Sequence, residues 1–231
     1  MNGKLTSKQL NPTSFFFDII LYLTIMFLVR EVYFSKLPFI GNGLIWSCTT
    51  LIIAIWRMKV RNITWKDIGL RKPKNLLRTF LITIGILITI PISIILFQQI
   101  QELLPISLAP DTSAEDSTSK FGNLKGNWIH FLTIIPFILL QSALEELLDR
   151  GFLINWFERF FSKMPFATAT AVLLQAIIFG FRHSYDISER SITVAIIGLI
   201  MGMAYVKFGR NLWPIIMAHC ILNTISMIGK I

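Results

Sequence analysis

The stretch Trp128–Arg150, WIHFLTIIPFILLQSALEELLDR, begins as a membrane-crossing helix and ends in charge. Phe131, Leu132, Ile134, Ile135, Phe137, Ile138, Leu139 and Leu140 carry the apolar run. Glu145, Glu146, Asp149 and Arg150 then follow within six residues. An ionised side chain inside a bilayer costs at least a few kcal/mol, so such a cluster is a functional hypothesis by default. Two further apolar segments each carry a histidine, in Phe179-Gly180-Phe181-Arg182-His183 and in His219-Cys220-Ile221-Leu222-Asn223.

Composition sets the class. Of 231 residues, 54% are hydrophobic and 15% charged, with 19 Phe and a mean hydropathy of +0.64. Soluble domains carry about 25% charged residues. The fold class is therefore all-α, a polytopic membrane helical bundle in contact with the lipid bilayer. Net charge is +9. The basic residues lie mainly between apolar runs, which points to topology and anionic headgroups and not to nucleic acid. Cys48 and Cys220 both sit in apolar segments, so no disulfide framework is expected.

About 20 apolar residues per crossing gives seven spans. They run Phe15–Val29, Phe39–Trp56, Thr79–Phe97, Trp128–Leu148, Phe166–Phe181, Ile192–Phe208 and Leu212–Ile228. The first is followed by Arg30-Glu31-Val32-Tyr33-Phe34, with no small-residue cleavage site, and reads as a retained helix. The loop Arg57–Arg78 holds eight Lys/Arg and one Asp, so it is placed in the cytoplasm. The stretch Gln98–Gly126 has four acids and two lysines and falls outside. The N-terminus is then cytoplasmic, in the cell membrane, and Arg159, Lys163, Lys207 and Arg210 also fall inside. Polar Asp111–Ser119 separates a three-helix part, residues 1–126, from a four-helix part, 127–231, that holds every candidate site residue.

Spacing and depth test whether the polar residues meet. Glu146 and Arg150 are i,i+4 and share a helix face, as do His219 and Asn223 and also Phe179 and His183. If the fourth helix runs on to about Phe161 and turns at Ser162–Pro165, Glu145 and His183 are each 19 residues from Met164. At ~1.5 Å per residue both lie about 28 Å from the hairpin tip. His219 is only about nine residues, or ~13 Å, past the Gly209–Asn211 turn. It aligns only if the tip near Arg159–Lys163 projects into the cytoplasm. His130, at the outer edge of its span, has no polar neighbour in sequence and is given a structural role. Gly198 and Gly202 form a small-residue stripe for helix packing.

Glu-Glu-x-x-x-Arg, Phe-x-x-x-His and His-x-x-x-Asn, in this order, resemble the CPBP family of intramembrane proteases, also called Abi or CAAX-protease-like. The resemblance covers about Trp128–Ile228. Upstream, Asp67-Ile68-Gly69-Leu70-Arg71-Lys72-Pro73 is similar to the Gly-Leu-Arg segment of many bacterial members. It implies an endopeptidase acting on a membrane-associated peptide or protein. Glu145 would be the catalytic glutamate, completed by Glu146 and Arg150; His183 the first histidine; His219 and Asn223 the oxyanion pair. Asp149 stands where members carry an aromatic residue. It puts a like charge one turn from Glu145, to be neutralised by Arg150 or by protonation of one carboxyl, and Asp149→Phe is expected to maintain or raise activity. The reading needs no cofactor. Zinc is left open, with Glu145, His183 and His219 as its ligands, although no His-Glu-x-x-His is present. A non-catalytic bacteriocin self-immunity or regulatory role is the alternative. An ion-coupled transporter would call for inverted repeats, which the sequence does not display.

Overall fold

The computed structural model describes residues 11–103, 108–109 and 120–231. Apart from one isolated bridge between Ala109 and Ser188, the regular structure among the described residues is helical. The polar stretch Asp111–Ser119 lies outside them.

Helix α1 (Pro12–Leu28) starts on an Asn11 cap with Pro12 in its first turn and ends in a 3-10 turn, Val29–Glu31. Helices α2 (Phe39–Val60) and α3 (Leu76–Leu103) follow. The arm that starts with α4 (Trp128–Glu146) does not stop at its charges. It continues through a π-helical segment, Leu147–Ile154, into α5 (Asn155–Phe160). The crossing read as Trp128–Leu148 is thus too short, because the acids and Arg150 are neutralised within the bundle and do not end the helix. Helices α6 (Ala167–Ser184), α7 (Glu189–Lys207) and α8 (Trp213–Ile228) complete the chain.

Among the described residues, five helical segments are long and apolar enough to cross a membrane: Pro12–Glu31, Phe39–Val60, Leu76–Leu103, Trp128–Phe160 and Glu189–Lys207. Helix α6 carries Gln175, Arg182 and His183, and α8 is only 16 residues long; both lie against these arms. The seven arms form a polytopic membrane bundle. On α3, Leu77, Phe80, Leu81, Ile84, Ile88 and Ile92 are exposed, an apolar face that only a lipid environment makes inexpensive.

Helices α6 and α7 pack most extensively. A side chain on Gly198 would meet Ala176 and Phe179, and one on Gly202 would meet Val172 and Gln175. The small-residue stripe therefore lets α7 approach the helix that carries His183.

The end bearing Arg57–Arg78 is tied by ion pairs. Asp18, buried on α1, binds Arg57 at 2.6 Å, Arg61 at 2.8 Å and the Trp156 indole at 3.2 Å. Glu158 takes both Arg210 amino groups at 2.6 Å. The Gly-Leu-Arg segment docks here. Gly69 has φ +101, and a Cβ there would strike the Arg210 carbonyl. Its own carbonyl accepts from Leu212 N at 3.0 Å, while Tyr205 donates to the Ile68 carbonyl at 2.8 Å.

Candidate active site

The three motifs meet at the other end of the bundle. Their register is set at Gly151, where a Cβ would touch Leu212 Cδ1 and Ile68 Cδ1 at 3.2 Å. Leu212 is therefore level with Gly151. Glu145 lies six residues from Gly151, and His219 seven residues from Leu212. Those steps climb about 9 and 10 Å along their helices. The hairpin tip extends about ten residues beyond Gly151, which is why a count from the tip placed His219 too low.

Glu145, His183, His219 and Asn223 line one cavity of about 250 Å³. The Glu145 carboxylate lies 9% exposed on its wall, and its electrostatic neighbours include Arg182, His183 and His219. Gln141, one turn earlier, donates to Glu145 Oε1 at 3.3 Å and to Ser47 Oγ at 2.7 Å, so α2 helps to aim the carboxylate.

The histidines are fixed by what their Nδ1 atoms touch. His183 Nδ1 lies 2.6 Å from the Phe179 carbonyl, which can only accept, so Nδ1 carries the proton and Nε2 the lone pair. His219 Nδ1 lies 2.7 Å from Glu146 Oε1 and likewise donates. Its Nε2 is 3.9 Å from Glu145 Oε2, beyond hydrogen-bond reach. Asn223 donates through Nδ2 to Ser142 Oγ at 2.8 Å, which occupies one of its two amide hydrogens. The other remains for the cavity.

Glu146 does not line the cavity. It is fully buried and accepts from Arg150 at 2.9 Å as well as from His219, joining the first motif to the third. The Arg150 guanidinium stacks 4.2 Å from the centre of the Phe179 ring. That contact accounts for the aromatic in Phe-x-x-x-His: the ring carries Arg150 and the carbonyl orients His183.

Asp149 departs from the sequence expectation. Its ion partner is Arg182, at 2.8 Å, and both side chains are buried. The π segment alters the phase of the helix after Glu146, leaving every residue from Leu148 to Ile154 buried and turning Asp149 toward α6. His130 is also better partnered than its sequence indicates, with Nε2 2.7 Å from the Phe121 carbonyl.

Residues 127–225 match the family model described as type II CAAX prenyl endopeptidase Rce1-like. This segment is Rce1-like. The match contains all six motif residues from Glu145 to Asn223 and makes the resemblance to the CPBP family a finding. No curated protein and no solved structure matches the chain. The Rce1-like segment is completed by side chains from outside it, since Arg30, Phe39 and Trp46 share the cavity wall.

A metal site requires convergence of its ligands. Glu145, His183 and His219 offer suitable donor types, yet among the described residues no three His, Cys, Asp or Glu side chains are gathered so as to hold an ion.

Gln141, Ser142 and Arg182 take part in the site without belonging to the three motifs. Their sequence signal was polarity inside apolar helices: Gln141 lies one turn before Glu145, and Arg182 is next to His183.

Proposed function

We propose that this chain is an endopeptidase that hydrolyses a peptide bond of a membrane-associated protein or peptide. The observation that carries the reading is the meeting of three separate motifs on one cavity, beside a carboxylate that is buried yet reaches the cavity. Glu145 takes a proton from water as the water oxygen attacks the scissile carbonyl carbon. The carbonyl oxygen becomes an oxyanion, to which Asn223 donates its remaining amide hydrogen. His219 Nε2 donates there when its ring is protonated, with Glu146 accepting from Nδ1 behind it. Donors of this kind are commonly worth about 3–4 kcal/mol of barrier each. When the C–N bond breaks, the nitrogen takes the proton from Glu145, and the carboxylate is regenerated. His183, fixed by Phe179, offers a second acceptor at the same water. The reaction as drawn needs no metal.

The cavity wall includes Arg30 from the 3-10 turn after α1, together with Phe121 and Lys230. It lies at the opposite end of the bundle from Arg57–Arg78. With that basic loop in the cytoplasm, the substrate reaches the site from the outer face of the membrane. That topology favours a single-span or secreted peptide over a prenylated cytoplasmic protein as the substrate.

Membrane and secreted fractions from cells making the wild type or Glu145→Gln test the reading by peptide-terminus profiling. New termini that arise only with the wild type support hydrolysis. Identical termini with both contradict it and move the chain to a binding role such as self-immunity.

A further inference from the structure

We propose that Arg30 receives a carboxylate of the substrate peptide and so sets the specificity of the cavity. This inference rests on the hydrolytic reading of the same site. Arg30 follows α1, outside the Rce1-like segment, and shares the cavity wall with Glu145, His183 and Asn223. Its guanidinium is already positioned. Nη1 donates to the Arg182 carbonyl at 2.6 Å and to the Tyr185 hydroxyl at 3.3 Å. The rings of Trp46 and Tyr185 lie 5.5 and 5.6 Å from its Cζ. All of these hold the cation without neutralising it.

Among the described residues Arg30 makes no salt bridge. The donors on Nε and Nη2 have no partner there and are not sealed from solvent. Those two nitrogens form an edge of the planar fork that matches a carboxylate in a two-pronged bond. Preorganisation by two rings and a carbonyl reduces the side-chain entropy that binding must overcome. Among the described residues that line the cavity, Glu145 is the one carboxylate. Phe39 and Phe121 on the same wall suit the apolar parts of a membrane-associated segment.

The test uses the full chain in lipid nanodiscs, with Glu145→Gln to stop turnover. It measures the affinities of three fluorescent apolar octapeptides. One carries a central glutamate and an amidated C-terminus; the second replaces glutamate by glutamine; the third keeps glutamine but has a free C-terminus. At least one carboxylate peptide should bind roughly 10- to 100-fold tighter than the neutral one, as expected for a charged hydrogen-bonded pair. Which of the two does so distinguishes a side-chain from a terminal carboxylate. Adding Arg30→Gln should bring both within about twofold of the neutral peptide, whose own affinity is retained and reports a folded cavity. Arg30→Lys should restore part of the difference. Equal binding of all three, no binding of any, or a preference that survives Arg30→Gln overturns the assignment. If the preference follows Arg30 while the chain with Glu145 intact cuts none of the peptides, the hydrolytic reading fails and the carboxylate receptor stands.

Discussion

Replacing Asp149 by the aromatic residue usual at its position should weaken this protein. Asp149 and Arg182 form a 2.8 Å pair with side chains 0% and 6% exposed. Removing one partner of a buried pair leaves the other charge uncompensated, at a cost of about 3–5 kcal/mol. Arg182 keeps some compensation, since it also feels Glu145 and lies 5.4 Å from the centre of the Phe179 ring. The loss for Asp149→Asn should therefore fall near 3 kcal/mol, the low end of that range. Asp149→Phe forces a larger group into a fully buried position and adds roughly 1–3 kcal/mol. Asp149→Asn/Arg182→Leu removes both charges and should recover most of the first loss. Reversible unfolding in mixed detergent micelles reads all four chains as a double-mutant cycle. Activity should fall with Asp149→Phe, because the released guanidinium is left with Glu145 as its carboxylate neighbour. Asp149→Asn within about 0.5 kcal/mol of the wild type, or losses for Asp149→Asn and Arg182→Leu that simply add, would refute the reasoning.

Three further outcomes are expected. Glu146→Gln should lower the yield of folded protein by weakening the bonds to both Arg150 and His219; normal yield with a normal unfolding profile contradicts the joining role. Asn223→Ala should slow cleavage by about 10²–10³-fold at little cost in stability, measured as kcat on a reconstituted peptide; an unchanged kcat removes Asn223 from the oxyanion site. Asp67 accepts 2.7 Å bonds from the Thr64 hydroxyl and backbone N–H, which hold its carboxyl below the usual 3.8. Its depressed value stabilises the 64–67 turn above about pH 4, a contribution lost as pH falls through the lowered value. A carbon-13 titration should show the depression, and Thr64→Ala should remove it.

The helices were legible because a bilayer demands long apolar runs, and the motif residues because charge in such runs is expensive. The register of His219 was not. It depends on Leu212 lying against Gly151 and on a π segment, and neither leaves a periodic trace in the sequence. The i,i+4 spacing of Glu145 and Asp149 left the like charge to Arg150 or to a proton, because the partner it found, Arg182, comes from α6 and lies 33 residues away. Asp18 inside the first span gave no sign of its partners, which are 39, 43 and 138 residues away. Arg30 reads as an ordinary interfacial cation until folding brings Trp46 and Tyr185 around it.

The central claim is that Glu145 activates water in this cavity. The direct measurement is single-turnover cleavage by the purified chain in liposomes, using a peptide identified from the terminus profiles, with fragments read by mass spectrometry. The wild type should produce both fragments, and Glu145→Gln should slow their appearance by orders of magnitude while unfolding like the wild type. Fragments that appear equally fast with both chains would contradict the account.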